Sequence, residues 1–369
     1  MKLSLEQLEA VIANFVDEEK ISNPTFTATK DNLVGLLDKV GKIFTLDTNY
    51  IDKLAMFEGE ELRFGKTIEE WQQDLILPED YDDTGAGALA PHFPTYRPVD
   101  YSYTLGRKKL PLSIKNDDVE RAVNNEGEFN SIMAMQTKRL YDSVEAYRYQ
   151  CKREILATLI AMCDDVKNAS STYSATASYL VGAYVKSGSP ATYAVVVKPI
   201  TASKPETSTF EKALAKGYII ALDLIKEVAV PVDSTTGEAF IKTVKKDVEV
   251  ASDISEGHSL NGNTLGASNL VLLVKQGIMP SIQVDTLAGA FNKEEVALPA
   301  EVKVIKDFGS DNTDVFAILV DTRAIRLHNT YKAVRENLNG DGDWLNMFYH
   351  TEDTAHISRN TFVRIYRAQ

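Results

Sequence analysis

Residues 128–167 read EFNSIMAMQTKRLYDSVEAYRYQCKREILATLIAMCDDVK, a stretch of forty residues that contains neither glycine nor proline. Apolar side chains recur in it at intervals of three or four, which is the spacing of one face of an α-helix. The residues expected to form the core of this spine helix are Phe129, Leu140, Val144, Tyr147, Ile155 and Leu159. At 1.5 Å per residue the helix would be about 60 Å long. A rod of this length suits a building block better than it suits the wall of a pocket.

The composition is that of a folded protein with an acidic surface. The chain has 369 residues, of which 44% are hydrophobic, and a formal net charge of -13. It contains no run of about 18 apolar residues, and its first residues form an amphipathic pattern, so we expect neither a membrane span nor a signal peptide. The acidic charge argues against binding nucleic acid through its phosphates, which requires a basic surface.

The two cysteines, Cys151 and Cys163, both lie on the predicted spine helix. Twelve positions correspond to about 18 Å of helical rise, so the two thiols cannot form a disulfide with each other. We expect both to be buried and reduced, as is usual in a reducing compartment.

The segment before the spine helix has a different character. Residues 3–20 and 30–43 are predicted to form two short helices. Between residues 54 and 114, apolar and alternating stretches flank a tip rich in proline and glycine, which predicts a long β-hairpin. Its aromatic residues and the basic cluster at its base are expected to contact another copy of the chain: Phe64, Trp71, Tyr81, Phe93, Arg107, Lys108 and Lys109. For the basic cluster, charge exposed to solvent without a partner is the alternative.

The segment after the spine helix predicts a mixed α/β domain over residues 170–330. The expected strands are 194–197, 248–250, 270–274, 302–305 and 315–320, and the expected helix is 209–227. The tail is predicted to end as two strands, at residues 344–349 and 361–366, separated by a polar turn. With the spine helix this tail would form a second α+β layer into which the α/β domain is inserted.

Three motifs resemble functional sites but lack residues that such sites require within or next to the motif. Gly85–Ala90 fits a relaxed dinucleotide fingerprint but is followed by prolines instead of a helix, which favours a hairpin tip. Gly257–Gly262 resembles a nucleophile elbow, but its second glycine falls one residue late, so a turn is expected. Asn337–Gly342 resembles the start of a calcium loop, but its twelfth position is Phe348, which cannot supply a carboxylate.

The histidines do not indicate a metal site either. His350 and His356 are six residues apart, which is not the spacing of metal ligands. Walker, zincin and paired-cysteine patterns are absent from the sequence. The sequence therefore predicts no catalytic residue, no metal ligand and no cofactor.

Four separated regions of the chain, taken in their order, resemble the corresponding regions of a known protein family. They are Gly65–Glu70 with Asp74, Tyr81 and Asp82; Gly127 with Phe129; Val302–Phe308 with Ala317–Asp321; and Trp344, Asn346, Tyr349, His350, Ser358 and Arg359. The chain thereby resembles the Hong Kong 97-type major capsid proteins of tailed bacteriophages, and within them the major head protein of phi-29-type podoviruses. The resemblance implies an α+β fold with a long spine helix, an extended β-hairpin loop and an inserted mixed α/β axial domain.

The resemblance also implies a division of the chain into four parts. These are an N-terminal helical arm at 1–53, an extended hairpin loop at 54–115, a peripheral domain at 116–169 and 331–369, and an axial domain at 170–330. Phi-29-type head proteins have an additional C-terminal immunoglobulin-like domain, and we expect none in these residues.

The function implied is that of a major capsid protein, not an enzyme. Its copies would form hexamers and pentamers of an icosahedral shell around double-stranded DNA, without specific DNA binding and without a membrane. Scaffolding and portal proteins are the further partners expected, with assembly in the bacterial cytoplasm and a final place in the virion. Two alternatives remain at this stage: an encapsulin-type shell around a protein cargo, and a soluble two-domain enzyme.

Overall fold

The computed structural model describes residues 50–62, 65–73, 96–100, 102–115, 126–264, 266–267, 269–280, 300–342 and 344–369. The described residues contain both helices and sheets, so the fold class is α+β, as predicted. The two short helices predicted at 3–20 and 30–43 lie outside the described residues.

The predicted spine helix is present as α1, Glu126–Ala169. Its 44 residues make it about 66 Å long. At its end Ser170 Oγ donates a hydrogen bond to the carbonyl oxygen of Val166, so a side chain satisfies one of the last free carbonyl groups. The helix predicted for residues 128–167 is thus confirmed and extends two residues further at each end.

Seventeen strands and two further helices occur in the described residues. The strands before and just after α1 are β1 (Glu69–Gln73), β2 (Tyr96–Asp100), β3 (Ser102–Thr104), β4 (Lys108–Lys115), β5 (Ser171–Thr172), β6 (Tyr184–Ser187) and β7 (Thr192–Val196). Next come α2 (Phe210–Ala215), β8 (Ile219–Ala221), β9 (Ile225–Val228), α3 (Ser234–Ser252), β10 (Ser255–Glu256), β11 (Asn263–Thr264) and β12 (Leu270–Lys275). The remainder are β13 (Glu301–Ile305), β14 (Val315–Asp321), β15 (Ile325–Asn339), β16 (Trp344–Ile357) and β17 (Val363–Ala368).

The largest sheet has the strand order β13-β12-β14-β17-β9. It is mixed, because β12 pairs in parallel with β13 and antiparallel with β14, and β17 pairs in parallel with β9. Every residue of β14 is buried, so this strand is covered on both faces. Its continuous apolar sequence is typical of such a central strand.

The other sheets are smaller. One has the order β5-β6-β7-β8, and another has the order β15-β16-β3, with β4 also paired to β16. The strands β1 and β2 form a two-stranded antiparallel sheet, in which Glu69 is opposite Asp100 and Gln73 is opposite Tyr96. A short pair, β10 and β11, completes the set among the described residues.

The chain divides into two compact units. The smaller unit includes Lys108–Ala146 and Lys332–His350, and the larger unit consists of Asp52–Arg107, Tyr147–Tyr331 and Thr351–Gln369. These units do not coincide with the four parts expected from the family resemblance. The four-part division concerns how copies of the chain meet one another, and it stays a prediction.

The core of the larger unit lies on both faces of the five-stranded sheet. On one face, Leu159 of α1 belongs to the same cluster as Leu273 and Ile318. On the other face, Phe240 of α3 packs with Leu319. Adjacent residues of β14 point to opposite faces, so one strand supplies both clusters.

Two secondary-structure predictions for residues 170–330 are wrong. The helix expected at 209–227 ends at Ala215, because Gly217 adopts a positive φ of 65° and Ile219 and Ile220 pair with β7 as part of β8. The strand expected at 248–250 is the last turn of α3. A capping box between Asp233 and Thr236 starts this helix, and packing of its apolar face overrides the β-branched sequence at its end.

The polar turn expected between 349 and 361 is also wrong for most of its length. Strand β16 continues through it to Ile357. Thr351, Glu352 and Asp353 are buried there and form hydrogen bonds with other side chains. Polar residues in a strand are favourable when buried partners satisfy them, which a single sequence does not reveal.

Candidate assembly interface

The arm is defined as residues 66–102 of the predicted hairpin, a part of the larger unit that includes β1 and β2. The chain before it is fixed by two fully buried apolar residues, Leu54 and Phe57, which belong to the main core. A short 3-10 turn, Ala55–Phe57, joins them, and Asp52 Oδ1 accepts a hydrogen bond of 2.8 Å from the backbone N–H of Leu54. The start of the segment predicted as a projecting hairpin is therefore part of the core.

Five charged residues form a network at this point. Lys152 Nζ lies 2.6 Å from Asp52 Oδ2 and 2.6 Å from Glu58 Oε2. Arg148 Nη1 lies 3.0 Å from Asp353 Oδ1, and Arg148 also pairs with Glu58. The side chain of Lys152 is only 1% exposed, and a cation so buried requires paired charges. The network joins residues 52–58 to α1 and β16.

Sequence patterns did not identify this network. Arg148 and Lys152 lie off the main apolar stripe of the spine helix, a position that usually faces solvent. Asp353 lies in the segment predicted as a polar turn. One feature of the sequence does indicate that these two residues could be buried. Arg148 and Lys152 are one helical turn apart, and they lie next to Cys151, which is on the apolar face.

Residues 58–62 run along β15 before the arm begins. The backbone N–H of Gly59 donates to the carbonyl of Leu327 at 2.9 Å, and that of Leu62 donates to Asn329 at 2.9 Å. A Cβ at position 59 would lie 2.5 Å from the ring of His328, so this close approach requires glycine. The outgoing chain is thereby held by backbone hydrogen bonds to β15.

The returning chain is held by β16. In β3, Tyr103 is opposite Ala355 and Thr104 is opposite Thr354. The backbone N–H of Leu105 then donates to the carbonyl of Asp353 at 2.8 Å. Both ends of the arm are therefore attached to neighbouring strands of one sheet.

One carboxylate, that of Glu352, binds both ends of the arm. Lys66 Nζ, from the outgoing chain, pairs with Glu352 Oε1. Arg107 Nη2, from the returning chain, lies 3.1 Å from Glu352 Oε2, and the Arg107 guanidinium carbon lies 4.2 Å from the centre of the Tyr331 ring. The hydrogen bond from Lys66 is the largest cause that lowers the pKa of Glu352; burial opposes it, and Arg107 lowers this pKa further.

A second set of contacts follows just inside the arm. The backbone N–H of Ile68 donates to Ser102 Oγ at 3.0 Å, which links the two chains of the arm to each other. Glu70 Oε1 accepts a hydrogen bond of 2.7 Å from Ser358 Oγ, and Glu70 Oε2 lies 3.8 Å from His356 Nε2. The base of β1 thus lies against the chain at the end of β16.

The predicted intersubunit residues fall into four groups. Phe64, Tyr81 and Phe93 lie outside the described residues. Trp71 lies in β1, opposite Pro98 of β2. Arg107 has the partners in its own chain given above. Lys108 and Lys109 are exposed at the start of β4.

The smaller unit carries Lys109 on one face of its sheet. Lys109 Nζ lies 5.5 Å from the centre of the Phe348 ring, within the range of a cation–π contact. Further along the same pair of strands, Ser113 Oγ donates to Asn346 Oδ1 at 2.6 Å. The other face is apolar, with Ile114 packed against Met347. A polar, partly basic face is therefore available on this sheet.

The predicted spine core residues are placed in both units. Leu140 and Val144 are buried, and Ile155 and Leu159 belong to the main core of the larger unit. Tyr147 is half-buried against that core. The side chain of Phe129 lies outside the described residues.

The described residues contain no cluster of three or more His, Cys, Asp or Glu side chains arranged to hold a metal ion. The Gly257–Gly262 segment is a turn, closed by a hydrogen bond of 2.5 Å from the Gly257 N–H to the Gly262 carbonyl. The Asn337–Gly342 segment is also a turn, in which Asn339 Oδ1 accepts hydrogen bonds from the backbone of Asp341 and Gly342. No described helix is long and apolar enough to span a membrane.

Known proteins similar to this chain are phage head proteins. The major capsid protein of Bacillus phage B103 is 23% identical over 341 residues, which are 90% of this chain and 62% of that protein. The major capsid protein of Bacillus phage PZA is 21% identical over 339 residues, with the same coverage of 90% and 62%. The chain therefore spans less than two thirds of the length of these relatives.

The fold of the chain is similar to that of a solved structure. A chain in the capsid structure of Staphylococcus phage Andhra superposes with a TM-score of 0.57 at 10% identity, over 88% of this chain and 86% of that one. The sequence model of one family, Phi29-like phage major capsid protein, matches residues 13–364. These relatives are structural proteins, which confirms the prediction that the chain is not an enzyme. The family predicted from the sequence is also confirmed: the chain belongs to the Phi29-like phage major capsid proteins.

Proposed function

We propose that this chain is the subunit of an icosahedral phage head, and that its copies assemble as hexamers and pentamers of a Hong Kong 97-type fold. The arm is the extended loop, the spine helix and C-terminal strands form the peripheral domain, and residues 170–330 form the axial domain. The shell encloses double-stranded DNA, is assembled in the bacterial cytoplasm with scaffolding and portal proteins, and becomes part of the virion.

The observation that carries the proposal is the attachment of the arm. Both of its ends are anchored within the chain by buried residues and ion pairs, whereas β1 and β2 form a sheet with only each other among the described residues. An isolated two-stranded sheet is at best marginally stable in water. Burial of its apolar surface against another copy would stabilise it by about 25 cal/mol per Å².

The charge of the arm indicates which surface of a neighbouring copy it contacts. Residues 71–83 contain five acidic side chains and no basic one. The polar face of the smaller unit's sheet carries exposed Lys109 and Lys115. Opposite charges favour one docking orientation and suppress others. The acidic first half of the arm on one copy therefore fits the basic face of the smaller unit on the next.

The acidic charge also suits the contents of the shell. A subunit with a net charge of -13 repels phosphate groups and holds packaged DNA without strong adhesion. It also repels its own copies, which keeps each contact weak and lets wrongly placed subunits dissociate. Closed rings of many weak contacts are nevertheless stable as a whole.

Electron microscopy of the purified full chain tests the proposal. Shells, tubes or rings of five and six subunits are expected, and deletion of residues 78–95 should abolish them. Compact dimers of one size in place of these assemblies would overturn it. The nucleic acid content of particles from infected cells separates a phage head from a compartment filled with protein.

A charge-reversal series tests the docking surface. Lys109→Glu with Lys115→Glu should prevent assembly, and adding Asp80→Lys with Asp82→Lys should restore it. Rescue by the second pair excludes simple misfolding as the cause. Normal assembly of the Lys→Glu variant, or failure of the rescue in a folded protein, would place the contact elsewhere.

A further inference from the structure

The dipeptide Asn-Gly occurs twice in the sequence, at residues 261–262 and at residues 339–340. Asparagine is a thermolabile residue, because the backbone nitrogen of the residue that follows it can attack its side-chain carbonyl carbon. Glycine hinders this attack least, since it has no Cβ and adopts unusual backbone conformations without strain. The two dipeptides have the same local chemistry, so the folded structure decides which of them reacts.

Asn339 is the last residue of β15, and its side chain folds back over the turn that follows. Asn339 Oδ1 accepts a hydrogen bond of 3.0 Å from the backbone N–H of Asp341 and one of 3.3 Å from that of Gly342. When a nitrogen attacks the carbonyl carbon, this same oxygen takes up the negative charge. Two backbone donors already directed at the oxygen stabilise that charge, as the oxyanion hole of an enzyme does. The turn therefore favours attack on the Asn339 side chain.

Gly340, which supplies the attacking nitrogen, lies in open space. It is exposed, and a Cβ added there would meet no heavy atom within 4 Å. Water therefore reaches the turn, and a five-membered ring has room to form. Residues 334–338 of β15 are exposed as well, so the turn opens locally with little loss of packing.

Asn261 has the opposite surroundings. Its Nδ2, which would leave as ammonia, donates a hydrogen bond of 2.6 Å to Asn360 Oδ1. The backbone nitrogen of Gly262, which would attack, donates to the carbonyl oxygen of Ser259 at 3.1 Å. Gly262 is also buried, and a Cβ there would lie 3.0 Å from Val195 Cγ1. Reaction at Asn261 therefore requires that this packing opens first.

We propose that Asn339 is a site of spontaneous covalent modification in the folded chain. The Gly340 nitrogen loses its proton to water and forms a bond to Asn339 Cγ. The bond from Cγ to Nδ2 breaks and ammonia leaves, which closes a succinimide ring. Water then opens either carbonyl of the ring and gives aspartate or isoaspartate. The step needs water alone as a co-reactant.

The modification changes both the charge and the backbone of the turn. Each event adds one negative charge next to Asp341. In the isoaspartate product the backbone also gains one carbon atom at the end of β15, so the hydrogen bonds from Asn339 Oδ1 no longer close the same turn. The modification is a property of the single chain and does not depend on the proposed function.

Peptide mapping by mass spectrometry tests the proposal on the dissociated full chain, kept folded at pH 8 for increasing times. Modification of Asn339 should be about tenfold faster than that of Asn261, because Asn261 reacts only after local opening. In urea the two rates should become equal. Equal rates in the folded chain, or an unmodified Asn339, would overturn the proposal. A difference that persists in urea would also overturn it, because the fold would then not be the cause.

The variant Gly340→Ala tests the mechanism. Its new methyl group lies in open space, so thermal stability should stay unchanged, but it hinders the attack and should slow modification about tenfold. The matched control is Leu338→Ala, which removes an exposed side chain on the other side of Asn339 and should leave the rate unchanged. Equal rates in Gly340→Ala and the parent chain would overturn the proposal, and so would aspartate formed without isoaspartate, which indicates direct hydrolysis.

Discussion

Lys152 Nζ lies 2.6 Å from Asp52 Oδ2, and the two side chains are only 1% and 5% exposed. An ammonium group in the middle of a long helix therefore binds the segment that leads to the arm. Such a pair fixes the position of two elements even where it adds little to stability, because either charge alone is unfavourable in the interior.

Replacing Lys152 by Met should lower the free energy of unfolding by about 3–5 kcal/mol, since Asp52 would remain buried without its cation. Urea denaturation measures the change. The control is Lys242→Met, whose pair with Glu238 spans 3.6 Å with both side chains largely exposed. It should cost less than about 1 kcal/mol. Equal effects of the two substitutions would contradict the assignment of Lys152 to a buried network.

His258 should make the larger unit sensitive to acid. Arg364 Nη2 lies 3.0 Å from His258 Nδ1, and the backbone carbonyl oxygen of Asp223 lies 3.3 Å from the same nitrogen. Burial, followed by the charge of Arg364, lowers the pKa of His258. The unfolded chain therefore takes up this proton first, near the ordinary pKa of about 6.5, and stability falls from that pH downward until the folded pKa is passed.

The test compares the unmodified chain with His258→Gln by urea denaturation at pH 8.5, 7.5 and 5.5. Between pH 8.5 and 7.5 the two proteins should differ by a constant amount. Between pH 7.5 and 5.5 the unmodified chain should lose more stability than the variant. Parallel curves over the whole range would show that His258 does not contribute.

The two thiols should be unreactive in the folded protein. Cys163 is 1% exposed, and burial raises the pKa of its thiol to about 12. Burial also raises the pKa of Cys151. Because the thiolate is the reactive form, a thiol reagent at pH 8 should modify neither cysteine until denaturant is added. Rapid modification of the native chain would contradict the packing of α1.

Two glycines with positive φ should differ in their tolerance of alanine. Gly257 has a φ of 82°, and a Cβ there would clash with the carbonyl oxygen of Ala221. Gly277 has a φ of 95° and open space around it. Gly277→Ala should cost roughly 1–2 kcal/mol from backbone strain alone, and Gly257→Ala should cost more because the backbone must also move. Thermal denaturation of both variants checks the order, and the reverse order would refute the turn geometry at Gly257.

Several elements could be predicted because their causes are local. The spine helix follows from forty residues without a helix breaker and with apolar residues at helical spacing. The strands at 270–274 and 315–320 follow from short, continuous apolar runs, which suit strands covered on both faces. The family resemblance depended on the order of such segments, and that order is a property of the sequence.

Other features depend on partners distant in the chain. Strand β16 continues through Thr351–Asp353 because Asn329, Lys66, Arg107 and Arg148 satisfy its polar side chains. The last turn of α3 is helical because its apolar face packs on the sheet, against the preference of its β-branched residues. The predicted helix at 209–227 gives way to β8 because strand β7 is available to pair with it.

The sequence by itself determined the long helix and the main buried strands, since each rests on a pattern within one segment, and the family, which rests on the order of such segments along the chain. Only the tertiary structure decided that Lys152 is buried with Asp52 and that Glu352 joins Lys66 to Arg107. The physical reason is that a charge is stable in the interior only beside its counter-charge. Residues separated by as many as 286 positions acquire that proximity only when the chain folds.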